Sequence, residues 1–351
     1  MEYRINRRTG DKISILGIGT SALPLAGERE AIAALRLAYE KGVNYYDLAT
    51  SESVCFPLFG KALSDVRGQV LYQIHFGANY AANKSYSWST NLEDIKRSVD
   101  WQLGQLKTDY IDYGFIHCLD ERSDWSRYVD GGGLAYLETL KAQGVVRHIG
   151  LSTHTPSLAR QVLDTGIVDM LMFSINPGYD YQHGDYANGS AAERMELYRR
   201  CETEGVGISV MKAFAGGQLL NAKTSPFGRA LTEYQCIQYV LDKPGVLTVL
   251  PGVRNREDLK RVLGFLNASD EEKDYSVISV LTPKDAGLVS TAITASPVRP
   301  VWMSASLTSI TIWPWPGMPW RQTTTETCRS GLTPVWAAAI ATAAVLSMWI
   351  R

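Results

Sequence analysis

The sequence predicts an α/β fold, a (β/α)8 barrel over roughly residues 12 to 270, and three observations predict it. Short apolar, β-branched runs alternate with longer segments of helical period, the pattern of parallel strands joined by crossover helices. The alternation repeats eight times. A chain of 351 residues has room for one such barrel and an appendage.

In chain order, "ISILGIG" is followed by the helical run "EREAIAALRLAYEKG", "VNYYDLA" by "FPLFGKALS", and "QVLYQIHFG" by "NLEDIKRSVDWQLGQLK". "DYIDYGFIH" leads to "LAYLETLKAQG", "VRHIGLST" to "SLARQVLDTG", and "VDMLMFSI" to "AERMELYRRCETEG". "VGISVMKAF" precedes "EYQCIQYVLDK", and "VLTVLPGV" precedes "REDLKRVLGFLN". Gly42, Gly144, Gly166 and Gly205 each follow a helical run, where a left-handed cap suits glycine. A doubly wound sheet is the rival architecture. It is disfavoured because "GIGTSALPLAG" offers only Gly17 and Gly19 toward a dinucleotide fingerprint.

A net charge of -1 and a pI near 6.5 provide no basic field for nucleic acid or an anionic membrane. The first twenty residues lack the apolar core and cleavage site of a signal peptide, which predicts a cytoplasmic protein. The five cysteines are scattered without metal-ligand spacing, so buried thiols and no metal site are expected. Small-molecule chemistry is the class that remains.

In a barrel that chemistry sits where the strands end. Asp47 ends the second strand, His75 the third, His117 the fourth, Ser152 the fifth and Lys212 the seventh, while Asn176 follows the sixth and Arg254 the eighth. Two histidines, an aspartate and a lysine converging on one mouth outweigh the ordinary structural reading of any single histidine. "GVRNRED" offers backbone N–H groups near a helix N-terminus, through Gly252, Asn255 and Asp258, with Arg254 and Arg256 for phosphate.

"NYYDLA", "YIDYGFIHCLD", "VRHIGLSTH", "VMKAFAGGQLL" and "VLPGVRNREDL", in this order, resemble an aldo-keto reductase across the whole barrel. The resemblance implies hydride transfer between NADPH and a small carbonyl or alcohol, with a tyrosine acid supported by lysine, aspartate and histidine. For that cofactor arginine suits the 2′-phosphate, which favours NADPH over NADH, while Ser152 and Asn176 are expected to hold the nicotinamide carboxamide and Lys212 to line the same cofactor site. Asp47 and His117 match. Glu52 stands where D-x-A-x-x-Y would place the tyrosine, and His75 stands in place of the lysine. The lysine would lower the phenol's pKa, so its absence leaves the acid open: His75 or His117 as donor, or Tyr46 or Tyr80 as a substitute phenol. A catalytically weak barrel that senses nicotinamide or docks a partner is the alternative.

Residues 1–285 form the expected barrel domain, and 286–351 differ from it. Beyond Asp285 lysine disappears and Glu326 is the only acid, while "WPWPGMPW" concentrates tryptophan and proline. The uncharged run 335–350 raises the reading of a tail anchor, but it falls short of the roughly 20 residues that span a bilayer. A branch of the aldo-keto reductases, similar at "LYQIHFGANY" and "FPLFGKAL", implies a C-terminal ferredoxin-like domain with 4Fe–4S clusters and a redox partner. In a shifted reading frame Val335, Ala338, Ala341 and Val345 permit C-x2-C-x2-C-x3-C, and Val289, Ala292, Ala295 and Val298 permit a second cysteine run. The expectation is a frameshifted remnant from about Leu288, with clusters only if the frame were restored.

Overall fold

The computed structural model describes residues 1–50, 52–80 and 86–278. The expected tail, including the shifted cysteine positions and the run 335–350, lies outside the described residues.

Eight parallel strands form the barrel: β3 (Ile18–Gly19), β4 (Tyr45–Asp47), β5 (Leu71–Phe76), β8 (Ile111–Ile116), β9 (Val146–Thr153), β10 (Met170–Ser174), β11 (Gly207–Met211) and β12 (Val246–Val249). They pair in that order, and parallel bridges Leu16–Val249 and Gly19–Gly252 join the first strand to the last. Gly17 is needed at this seam because a Cβ there would stand 2.9 Å from the Tyr45 carbonyl oxygen. The first expected strand is split. Its front half becomes β2 (Lys12–Ser14), which pairs antiparallel with β1 (Tyr3–Ile5), and the Ser14 N–H goes to Asn44 Oδ1 at 2.8 Å.

The helices are α1 (Glu28–Glu40), α2 (Cys55–Ala62), α3 (Leu92–Leu106), α4 (Arg122–Asp130), α5 (Gly133–Ala142), α6 (Pro156–Leu163), α7 (Pro177–Asp180), α8 (Ala191–Glu204), α9 (Glu233–Leu241), α10 (Arg256–Leu263) and α11 (Asp270–Lys273). Local chemistry sets their starts. Asn91 caps α3, and Ser190 with Glu193 and Thr232 with Gln235 form capping boxes on α8 and α9. Gly205, in the left-handed region at φ 75°, ends α8 as expected.

Strand side chains that alternate inward fill the barrel: Tyr45, Tyr113, Phe115, Met170, Met172, Met211 and Leu250 form one buried cluster. Each such side chain contributes about 1.5–3 kcal/mol by leaving water. A hairpin outside the eightfold repeat, β6 (Ala78–Tyr80) and β7 (Tyr86–Trp88), follows β5 directly.

Candidate active site

The mouth is built from the ends of β4, β5 and β8. Gln73 and His75 both face inward from β5, two residues apart, and His117 follows β8. Asp47 is fully buried, and its Oδ1 accepts from Ala49 N at 3.1 Å, Gln73 Nε2 at 3.1 Å and His75 Nε2 at 2.8 Å. Tyr45 and Ser209 hydroxyls donate to Gln73 Oε1, which turns the amide nitrogen toward Asp47. Asp47 Oδ2 is buried with no hydrogen-bond partner among the described residues.

Because Asp47 Oδ1 is an acceptor, His75 carries its proton on Nε2 and presents Nδ1 as an acceptor. His117 Nδ1, 2.9 Å away, therefore donates to it, and His117 Nε2 accepts from the Tyr86 hydroxyl at 2.8 Å. One carboxylate thus sets every tautomer in the row. Burial holds His117 well below the usual histidine range, and neighbouring His75 reinforces the effect. Burial pushes the Tyr86 phenol up.

A second row lies across the mouth. Asp120 Oδ1 accepts from His154 N and Thr153 Oγ1, and Asp120 Oδ2 faces His154 Nδ1 at 2.9 Å. His154 Nε2 then faces Lys212 Nζ at 3.2 Å. Burial opposes ionisation of Asp120, but the His154 ring and these donors hold its carboxyl down at about 2. Burial lowers the Lys212 ammonium to about 8, and its Nζ stands 4.2 Å over the Tyr186 ring. Cys118, Asp120 and His154 bring ligand atoms within 4.8 Å of one another. The Asp120–His154 bond and the adjacent Lys212 disfavour a cation there.

A cleft of about 320 Å³ runs between the two rows and the end of β12, lined by Gly19, Asp47, Lys212, Gly217, Gly252, Arg254 and Arg261 among others. Asn255 caps α10, accepting from Glu257 N and Asp258 N. Asp258 in turn takes Arg254 Nε at 2.9 Å and Arg261 Nη1 at 3.0 Å, so two guanidinium groups share one carboxylate beside a helix N-terminus.

The structure brings Asp47, His75 and His117 together and places Lys212, Gly252, Arg254 and Asp258 on the adjoining cleft. Ser152 is buried at the end of β9. Asn176 is spent within the protein: Oδ1 caps α7 on Tyr179 N and Nδ2 donates to the Lys212 carbonyl. The capping alternative for this residue is what the geometry displays. Three expectations are corrected. Arg256 is held by Glu30 through both its Nε and Nη2, so it is not offered to a phosphate. Tyr46 is fully buried with its hydroxyl on the Val43 carbonyl, which precedes β4 and so lies away from its mouth end. Tyr80 binds the Thr50 backbone. Glu52, at the head of α2, meets Thr50 Oγ1 through its backbone N–H and has no described contact with the histidine row.

Sequence reasoning missed Gln73, Arg261 and Tyr86. Gln73 carries a readable signal, a second polar residue two positions before His75 on an otherwise apolar strand. Tyr86 carries only a weak one, the aromatic alternation of "SYSWS".

The pattern of the aldo/keto reductase family matches residues 15–235. L-galactose dehydrogenase of Arabidopsis thaliana is 24% identical over 299 residues, covering 80% of this chain and 89% of that protein. The uncharacterized oxidoreductase YqkF of Bacillus subtilis is 24% identical over 283 residues, covering 73% and 89%. An aldo-keto reductase from Bacillus halodurans in its holo form superposes with a TM-score of 0.66 at 21% identity, covering 80% of this chain and 96% of that one. No helix among the described residues is long and apolar enough to cross a membrane. With an eight-stranded parallel barrel, a polar mouth at its strand ends and a family match over most of that barrel, the chain belongs to the aldo/keto reductase family.

Proposed function

We propose that the protein is an NADPH-dependent oxidoreductase interconverting a small carbonyl compound and its alcohol. The observation that carries this reading is the double position of Asp47: its Oδ1 terminates the histidine row, and the same residue lines the cleft that ends at Arg254. Proton-handling groups therefore adjoin an anion-binding groove.

The residues present fit a nicotinamide dinucleotide. Asp47 Oδ2 is a buried acceptor lacking a partner among the described residues. At Gly217 and Gly252 an added Cβ would meet nothing within 4 Å, so the backbone leaves space along the cleft. Arg254 and Arg261 would hold the phosphates, with Arg254 on the 2′-phosphate, and Gly252 and the capped start of α10, through Asn255 and Asp258, would present the backbone. Lys212 and Ser152 would face the nicotinamide end. The bound cofactor would supply the hydride. His117 and His75, oriented by Asp47, manage the proton, and Glu52 at the head of α2 borders the substrate side. Turnover of a panel of short aldehydes, ketones and alcohols with NADP(H) tests the reading. Tight NADPH binding without turnover of any of them would favour the sensor or docking alternative instead.

For residues 286–351 we infer a frameshifted remnant of a ferredoxin-like 4Fe–4S domain. The support is the spacing of the eight positions, Val289 to Val298 and Val335 to Val345, at which a shifted frame permits cysteine. Genomic DNA that cannot spell cysteine there would end this inference.

A further inference from the structure

The row of hydrogen bonds that starts at Asp47 does not stop on a histidine. It ends on a phenol, the Tyr86 hydroxyl, 2.8 Å from His117 Nε2. We propose that Tyr86 is the catalytic acid–base group of this mouth, giving a proton to a carbonyl oxygen in reduction and taking one from an alcohol in oxidation. His117, His75 and Asp47 are positioning residues that carry that proton inward. The assignment rests on the oxidoreductase reading above.

Geometry singles out this phenol. Asp47, His75 and His117 are buried, whereas Tyr86 is half-buried and is the outermost member of the row. The two phenols that the sequence offered as substitutes are committed elsewhere, Tyr46 to the Val43 carbonyl and Tyr80 to the Thr50 backbone. The hairpin fixes Tyr86 in place: it pairs with Tyr80 across β6 and β7, its ring stands 5.9 Å from the His117 ring, and Trp88 Nε1 donates to the His117 carbonyl at 3.1 Å.

The row explains how a half-buried phenol, a weak acid by itself, can exchange protons. Every N–H and O–H in it points toward Asp47, so at rest the row is set to accept a proton. In oxidation the alcohol O–H breaks and its proton bonds to the Tyr86 oxygen. The Tyr86 proton passes to His117 Nε2, that of His117 Nδ1 to His75 Nδ1, and that of His75 Nε2 toward Asp47. The C–H electron pair leaves as hydride to an oxidised nicotinamide. Reduction starts from the row already loaded with one proton from solvent, held at Asp47, and reverses each step. Hydride from a reduced nicotinamide reaches the carbonyl carbon, the C=O π pair becomes the alkoxide, and Tyr86 protonates it while His117 Nε2 reprotonates Tyr86, His75 Nδ1 reprotonates His117 and Asp47 returns its proton to His75 Nε2. No charged phenolate has to persist against the cost of its burial.

The test compares Tyr86→Phe with Tyr80→Phe, each assayed in the full chain. Tyr86→Phe should lower kcat by about 100-fold or more, the usual scale for a general acid–base group, with the Kd for NADPH unchanged. Its residual reduction rate should rise about tenfold per pH unit of acidification, because solvent then supplies the proton. Tyr80→Phe should stay within about threefold of the parent. Independently of turnover, the His117 Nε2 resonance in 15N NMR should move in Tyr86→Phe and hold still in Tyr80→Phe. A Tyr86→Phe protein with near-parental kcat, or an unmoved His117 resonance, would overturn the assignment while leaving the oxidoreductase reading standing. A parent protein that turns over no carbonyl or alcohol with NADP(H) would remove both.

Discussion

Replacing Arg254 by alanine is the sharpest probe of the cleft. Arg254 lines the cleft, its side chain is 58% exposed, and Asp258 Oδ2 accepts from its Nε at 2.9 Å. Asp258 is buried but stays paired with Arg261 in the variant, so no carboxylate is left stranded and the stability loss should be small. A hydrogen bond to a charged group is worth about 1.5–3 kcal/mol, so the Kd for NADPH should rise roughly 10- to 150-fold. Arg261 remains on Asp258 in the variant and keeps part of the positive potential, which favours the lower half of that range. Quenching of protein fluorescence by NADPH and by NADH, titrated in parallel with a urea midpoint as the stability control, measures the effect. Loss confined to NADPH places Arg254 on the 2′-phosphate. Equal losses would move the contact to the pyrophosphate, and an unchanged Kd for both would remove Arg254 from the site and refute the reasoning.

Three further outcomes are expected. His117 and His154 are held below the ordinary histidine value of about 6.5, by burial first, so the unfolded chain binds protons that the folded chain refuses. Stability should therefore be full above that pH and fall on acidification below it by up to about 1.4 kcal/mol per pH unit for each histidine, read as a lower urea midpoint at pH 5.5 than at 7.5. Asn176→Ala removes the α7 cap and the bond to the Lys212 carbonyl, and should cost about 2–4 kcal/mol, with Asn176→Asp restoring only the cap; equal stability of all three proteins would contradict this. Arg194 is fully buried on Asp180, which also accepts from Tyr198 and Tyr239, so Arg194→Met should cost about 3–5 kcal/mol by stranding the carboxylate, and adding Asp180→Leu should recover most of it in the same unfolding assay.

The barrel is legible in the sequence because each strand and helix states its type locally: "LYQIHF" alternates, "NLEDIKRSVDWQLGQL" has helical period and a capping asparagine, and Gly205 closes α8. Barrel topology then places strand-end residues at one mouth without further information, which is why Asp47, His75, His117, Lys212 and Arg254 could be named from strand ends alone. Partnership is another matter. Whether Arg256 is offered to a ligand depends on Glu30, which lies 226 positions away, and whether Asn176 is offered depends on the Lys212 carbonyl. Tyr86 sits in a short hairpin between the third strand and its helix, outside the repeat that organises the chain, and meets His117 across 31 positions. Residue identity and local period determine the fold, the family resemblance and those groups that stand at strand ends. Only the closure of the barrel decides which donor meets which acceptor, because hydrogen-bond partners separated by long stretches of chain leave no periodic trace in it.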